Sequence, residues 1–77
     1  MRIVSQYDEA YEIDLQAQTW KLVANPQNVG NLRTTEGKFF ECTQPVVGEP
    51  LTIFAESLTP GGSFRLISIP ALKSVEA

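Results

Sequence analysis

Glycine and proline interrupt the chain so often beyond residue 25 that no interval between them reaches the length of about ten residues expected of an ordinary helix. Both residue types are absent from residues 1–25 and then recur in groups as far as Pro70. Three short runs between the breaks are rich in β-branched and aromatic residues, which favour strands. They are FFECT (39–43), LTIFAE (51–56) and SFRLISI (63–69). The chain beyond residue 25 therefore predicts short strands joined by turns.

The first 25 residues are compatible with a helix. Ser5 could serve as its N-cap, with Asp8 three residues later, and Asn25-Pro26 would stop it. A helix at about 6–24 is therefore one interpretation of this segment.

Strands are favoured by the alternation of apolar and polar residues in the same segment. The apolar positions are Tyr11, Ile13, Leu15 and Ala17, and the polar positions between them are Glu12, Asp14, Gln16 and Gln18. On a helical wheel Asp14, Gln18 and Lys21 would fall inside the apolar arc, which weakens the helix interpretation. We therefore expect strands at roughly 2–6, 11–17 and 20–24.

The length of 77 residues leaves room for one domain with a small core. Hydrophobic residues make up 43% of the chain and charged residues 19%, proportions that are typical of globular proteins rather than disordered ones. We predict a single all-β domain at 1–77, with five to seven short antiparallel strands in a small barrel or a twisted sheet. An α+β fold with the helix at about 6–24 is the alternative.

Two hairpins can be proposed from the turn residues. In the first, a three-residue loop at 35–37 ends in Gly37 and pairs Leu32 with Phe40. Alternation then puts Phe40 on the same face as Leu32 and Cys42, where Cys42 would be a small buried hydrophobe, and Phe39 on the opposite face.

In the second hairpin, Pro60-Gly61 forms the turn, with a positive φ available to Gly61. Glu56 then faces Arg65 as an opposite-charge pair. This register predicts one stripe of apolar residues and places other apolar side chains on the opposite face. The stripe consists of Phe54, Ile67 and Ile69.

The absence of histidine removes the Ser-His-Asp and Cys-His arrangements, the histidine zinc sites and the commonest general base near neutral pH. The single cysteine, Cys42, cannot form a thiolate cluster. There is also no phosphate-binding glycine motif. We therefore predict a non-enzymatic protein with no catalytic, cofactor-binding or metal-binding residues and no cofactor.

Four carboxylates stand close together near the start of the chain, and the whole net charge of −3 arises within the first 20 residues. They are Asp8, Glu9, Glu12 and Asp14. The spacing lacks the alternating aspartates and the glycine of a calcium loop. The group is therefore either a solvated surface or a docking patch for a basic protein partner.

The apolar stripe Phe54, Ile67 and Ile69 is a second candidate for binding. If the sheet has only one covered face, the stripe is exposed and marks an interface with a partner or with another copy of the chain. If the sheet closes, part of the stripe is buried within the domain. Phe39 is a further partner-binding candidate, because Arg33 would lie beside it.

The basic residues are scattered rather than clustered, which disfavours binding to a nucleic-acid backbone. A small barrel that binds a ligand or a single nucleic-acid strand nevertheless stays open as an alternative, since the chain carries seven aromatic residues. Self-association as a structural component is the other alternative.

The opening MRIVSQ and the following EIDL resemble the start of a group of small Firmicutes and prophage-associated proteins of unknown function. The resemblance covers about fifteen residues and implies two strands joined by a turn, together with a phage-related setting. It implies no catalytic residue.

No run of apolar residues approaches the length of about 20 that spans a bilayer, and the first residues lack the apolar core of a secretory signal. A small domain with a single cysteine suits a reducing compartment. We therefore expect a cytoplasmic protein without a membrane partner.

Overall fold

The computed structural model describes residues 1–25, 35–57 and 61–76. These residues form seven strands and no helix. The strands are β1 (Arg2–Ser5), β2 (Ala10–Asp14), β3 (Thr19–Ala24), β4 (Glu36–Cys42), β5 (Leu51–Glu56), β6 (Phe64–Ile69) and β7 (Leu72–Glu76). The predicted all-β class is confirmed, and the alternative with a helix at about 6–24 is wrong because that segment contains β2 and β3.

The strands form one sheet in the order β6-β5-β4-β3-β2-β1-β7, and every neighbouring pair is antiparallel. The two edge strands, β6 and β7, are separated in the chain by Pro70 and Ala71 alone. Opposite ends of the sheet must therefore meet at these two residues, and the sheet curls into a half-barrel. Beside β7, the Leu72 N–H donates to the Glu49 carbonyl (3.0 Å), and the Leu72 carbonyl accepts the Gly48 N–H (2.8 Å).

The core fills the inner face of the curled sheet. Trp20 on β3 is its largest fully buried side chain. Gly37 on β4 lies directly opposite Trp20, and a Cβ at Gly37 would come within 3.2 Å of the Trp20 Nε1. The other buried apolar side chains of the core cluster come from the six other strands. They are Ile3, Tyr11, Ile13, Phe39, Leu51, Ile53, Ala55, Ile67, Ile69 and Leu72.

The N-terminal strands occur close to the predicted positions, but β2 ends at Asp14 rather than at residue 17. The Asp14 Oδ1 accepts hydrogen bonds from the N–H groups of Gln16 (3.0 Å) and Ala17 (2.9 Å). These bonds form a turn of the kind that aspartate favours. Gln18 completes it with a positive φ of 56°. Leu15, predicted to lie on the apolar side of the strand, is therefore exposed in this turn.

The predicted loop at 35–37 is wrong, because Glu36 and Gly37 belong to β4 and pair with Lys21 and Trp20. Leu32 and Arg33, which the prediction placed in that hairpin, lie outside the described residues. The close approach of Gly37 to the Trp20 indole explains the glycine at this position better than a turn does.

The faces of Phe39 and Phe40 are also the reverse of the prediction. Phe39 pairs with Ala55 and Glu41 pairs with Phe54, so Phe40 is the additional residue of a β-bulge. Phe39 points into the core, and Phe40 is 61% exposed. Simple alternation across this position could not predict that outcome.

The register of β5 and β6 differs from the prediction by one residue. Glu56 pairs with Phe64 instead of Arg65, and Phe54 pairs with Leu66 instead of Ile67. A one-residue shift exchanges the two faces of a strand. Gly61 has φ of 78°, as predicted for this turn, whereas Pro60 lies outside the described residues.

Candidate interaction surface

The four carboxylates of residues 8–14 do not form one patch. The Asp8 carboxylate forms an ion pair with the Lys73 Nζ on β7. Glu9 is only 8% exposed, and its Oε1 accepts a hydrogen bond from the Ser5 Oγ (3.4 Å). The Ser5 N–H also donates to the Glu9 carbonyl at 2.8 Å. Glu9 therefore closes the turn between β1 and β2 and does not belong to the surface.

Glu12 lies within a row of alternating charges on the outer face of the sheet. Its cross-strand neighbours are Arg2 on β1 and Lys21 on β3. The Arg2 Nη1 and the Glu12 Oε1 are 3.3 Å apart, and both side chains are about half exposed. Strand pairing of Arg2 with β7 and of Lys21 with β4 adds one acidic residue at each end of the row. In order from β7 to β4, the row consists of Glu76, Arg2, Glu12, Lys21 and Glu36.

The alternation changes the electrostatic meaning of Glu12 and Asp14. Glu12 is flanked by two cations, and the Asp14 carboxylate binds the backbone of its own turn. An exposed ion pair contributes at most about 1 kcal/mol to stability, so the row mainly balances charge. The predicted negative charge of Glu12 is therefore partly neutralised by cations on the neighbouring strands, whereas Asp14 accepts hydrogen bonds within its own turn.

A group of apolar side chains lies on the outer face of the opposite half of the sheet. We call Phe40, Phe54, Phe64 and Leu66 the aromatic patch. Phe64 is 52% exposed and Leu66 is 58% exposed, while Phe54 between them is half-buried. The Phe54 and Phe64 ring centroids are 5.8 Å apart, with the rings tilted by 59°. Such a tilted pair is a favourable aromatic contact.

The aromatic patch crosses three adjacent strands. Phe54 on β5 pairs with Leu66 on β6 and with Glu41 on β4, next to the bulge residue Phe40. Phe64 pairs with Glu56. Both carboxylates are exposed, and neither forms an ion pair with another residue of the described ranges. The patch therefore has an acidic rim, defined by Glu41 and Glu56.

Three of the predicted partner-binding candidates are in the core rather than on this surface. Ile67 and Ile69 are 3% and 0% exposed, and Phe39 is also buried. Of the predicted apolar stripe, only Phe54 lies on the outer face. The face assignment of Ile67 and Ile69 was wrong because the predicted register was counted from a Pro60-Gly61 turn and differs from the observed register by one residue.

The exposure of Phe40, Phe64 and Leu66 was not predicted from the sequence. For Phe64 and Leu66 a usable signal was present. Pairing Ile53 with Ile67, as in the structure, gathers Leu51, Ile53, Ile67 and Ile69 on one face and leaves Phe54, Phe64 and Leu66 on the other. The bulge at Phe40 has no comparable signal in the sequence.

Two open depressions lie along β2, β3 and β4. Their volumes are about 750 Å³ and 310 Å³. The larger one is lined by Glu12, Asp14 and Lys21, and the smaller one by Lys21, Glu36 and Lys38. Because cations and carboxylates are interspersed along these walls, the depressions do not favour ligands of one charge.

Two ionisable side chains have raised pKa values. Burial raises the pKa of Tyr11 to about 12, and the nearby Glu9 carboxylate acts in the same direction. Burial, aided by Glu41, raises the pKa of the Cys42 thiol, which is half-buried against the core. Both groups are therefore protonated at neutral pH, and Cys42 lacks the thiolate character of a reactive cysteine.

Within residues 1–25, 35–57 and 61–76, no group of three acidic, cysteine or histidine side chains is placed to hold a metal ion. In the same ranges, no helix has the length and apolar character needed to cross a membrane.

Comparisons of the chain with protein-family models, with curated proteins and with solved structures find no significant match.

Proposed function

We propose that this protein is a non-enzymatic interaction module that binds another protein through the aromatic patch. The observation that carries the proposal is the cluster Phe40, Phe54, Phe64 and Leu66 on the outer face of β4, β5 and β6. The inner face of the same strands already supplies the core, so the cluster has no packing role within the described residues. Contiguous exposed apolar residues with a polar rim are typical of protein interfaces.

The acidic rim adds a preference for a basic partner. Glu41 and Glu56 flank the patch, and the whole chain has a net charge of −3. Rim charges mainly increase the rate of association and discriminate between partners, whereas buried apolar groups supply most of the affinity. In this proposal the steering charges are thus at the rim of the patch rather than at Asp8, Glu9, Glu12 and Asp14.

Self-association as a structural or assembly component, in a phage-related setting, is the second candidate. The exposed side chains of the edge strand β6 favour it, because an apolar sheet edge can pair with another copy. Light scattering after size-exclusion chromatography, at several protein concentrations, distinguishes a self-associating protein from a monomer. A cytoplasmic location is part of the proposal, since Cys42 is a free thiol.

Binding to single-stranded nucleic acid has less support. Arg2 and Lys21 alternate with carboxylates on the outer face, and Lys73 forms an ion pair with Asp8. The aromatic patch is bordered by acidic residues rather than by cations. Such a surface repels phosphates.

Affinity capture from a cell lysate tests the interaction proposal when two leucine variants are compared. Leu66 in the patch is 58% exposed and Leu15 in the β2–β3 turn is 57% exposed, so Leu15→Ser is a matched control for Leu66→Ser. We expect Leu66→Ser to lose a captured protein that the wild type and Leu15→Ser retain. Equal capture by all three proteins would contradict the proposal.

A further inference from the structure

The two edges of the sheet are protected to different degrees. At β7, the outer side is charged, with Lys73 and Glu76 exposed, and the backbone of Leu72 is already hydrogen-bonded to Gly48 and Glu49. Charged side chains and covering segments are the usual means by which proteins prevent an edge strand from pairing with another chain.

The edge at β6 has only one such device in the described part of the chain, the inward-pointing charge of Arg65. Its sequence, FRLISI, contains no proline, lysine or acidic residue. Its one charged residue, Arg65, points to the inner face, with the guanidinium carbon 5.6 Å from the centroid of the Trp20 ring. No described residue pairs with β6 on the side away from β5. Among the described residues, the backbone of β6 therefore has no strand partner on this side, next to exposed Phe64 and Leu66.

We propose that the partner adds an extended strand to this edge of β6, with apolar residues at alternate positions and a lysine or arginine near Glu56. This inference rests on the proposed interaction function and specifies how the partner binds. Backbone hydrogen bonds to β6 supply affinity, and the outward side chains of the added strand cover Phe64 and Leu66. The inward side chains continue the row that contains Ile67 and Ile69.

The position of Glu56 determines the preference for a basic residue. Glu56 pairs with Phe64 across β5 and β6, and the added strand would lie on the other side of Phe64. Two strand spacings separate Glu56 from the added strand, about 10 Å. A lysine or arginine can span this distance by laying its alkyl stem over the Phe64 ring. Two copies of a chain with a net charge of −3 repel each other, so a basic segment of another protein fits better.

Selection from a random dodecapeptide library provides the probe, with the 77-residue chain as bait. Each enriched peptide is then synthesised in two further versions. One version carries methyl groups on the backbone nitrogens of its odd-numbered residues, and the other on those of its even-numbered residues. A strand that pairs along one edge uses the N–H groups of alternate residues only. Kd values are then measured by fluorescence anisotropy for the wild type, Leu66→Ser, Leu15→Ser and Glu56→Gln.

We expect the selected peptides to alternate apolar residues with lysine or arginine. Methylation at one set of nitrogens should weaken binding by about tenfold or more, while methylation at the other set should leave it within about threefold. Leu66→Ser should weaken binding by about tenfold, and Leu15→Ser should have no effect. Glu56→Gln should weaken binding about two- to fivefold at low salt, and this difference should disappear at high salt.

Different failures have different meanings. Binding that depends on Leu66 but is equally affected by both methylated sets, or peptides with helical spacing of apolar residues, would overturn strand addition and leave the interaction function standing. Enrichment that does not depend on Leu66, or no enrichment at all, would overturn both. Dimerisation of the wild type that Leu66→Ser abolishes would identify a second copy as the occupant and overturn the proposed partner.

Discussion

The guanidinium carbon of Arg65 on β6 lies 5.6 Å from the ring centroid of Trp20 on β3, at the inner face of the sheet. These strands are three positions apart in the sheet order, which would separate them by about 14 Å in a flat sheet. The contact therefore depends on the curl of the sheet. It also orients Arg65 away from Glu56 and is consistent with the observed register of β5 and β6.

Replacing Arg65 should reduce stability, whereas replacing Glu56 should not. Arg65→Gln removes the contact between the cation and the Trp20 ring, with an expected loss of about 1 kcal/mol in the free energy of unfolding. Glu56→Gln changes an exposed residue that pairs with Phe64, so we expect a change of less than about 0.5 kcal/mol. Urea unfolding followed by fluorescence of Trp20, the single tryptophan, measures both values. Equal losses in the two variants would instead indicate a Glu56–Arg65 pair.

A methyl group at Gly37 should destabilise the protein. The new Cβ would lie 3.2 Å from the Trp20 Nε1. The indole is fully buried, so the surrounding core restricts its movement away from the Cβ. Alanine normally stabilises a strand relative to glycine, but overpacking against a fixed ring outweighs this gain. We expect Gly37→Ala to lower the free energy of unfolding by about 1 kcal/mol, measured by urea unfolding, and to shift the Trp20 emission maximum. An increase in stability would show that the indole can move.

Stability should fall at alkaline pH because of Tyr11. Its folded-state pKa of about 12 is above the ordinary value of 10.0, so the folded protein keeps the phenol proton while the unfolded chain loses it. The stabilising contribution is complete below pH 10 and is lost as the pH rises through 12, by about 3 kcal/mol in total.

Urea unfolding at pH 8 and at pH 11 measures this loss in the wild type and in two phenylalanine variants. Tyr11→Phe should show a smaller decrease between the two pH values than the wild type. Tyr7→Phe is the control, because Tyr7 is exposed. A decrease of the same size in Tyr11→Phe and the wild type would rule out Tyr11 as its source.

Asp14 and Glu12 should differ in their importance for stability, although both are exposed acidic residues of β2. Asp14→Ala removes the acceptor of two backbone N–H groups in the turn, and we expect a loss of about 1 kcal/mol. Glu12→Gln disrupts only an exposed ion pair with Arg2, and we expect a change below about 0.5 kcal/mol. Thermal unfolding by circular dichroism compares the two variants. A larger effect at Glu12 would mean that the charged row contributes more than its exposure implies.

Much of the secondary structure could be predicted from the sequence because strand signals are local. The glycine and proline breaks and the alternation of Tyr11 and Ile13 with Glu12 and Asp14 depend only on neighbouring residues. Six of the seven strands overlap segments that these patterns predict. The seventh, β7, lies beyond Pro70, where the sequence contains no comparable run.

The candidate site could be predicted only in part, because it depends on register. The sequence places a phenylalanine at 54 in a strand, but the neighbours of Phe54 follow from the pairing of β5 with β6 and from the bulge at Phe40. Counting back from the Pro60-Gly61 turn placed Glu56 opposite Arg65. Only the observed register both buries Ile67 and Ile69 and lets Arg65 contact Trp20.

The sequence by itself thus determined the all-β class, the single domain and the approximate positions of most strands, since these follow from local composition and spacing. Only the tertiary structure decided which side chains are available to a partner. It buried Glu9, placed Asp8 in an ion pair and Glu12 in a row of alternating charges, and exposed Phe64 and Leu66 instead of Ile67 and Ile69. The physical reason is that strand pairing is non-local, and a shift of one residue exchanges the buried and the exposed face of a strand.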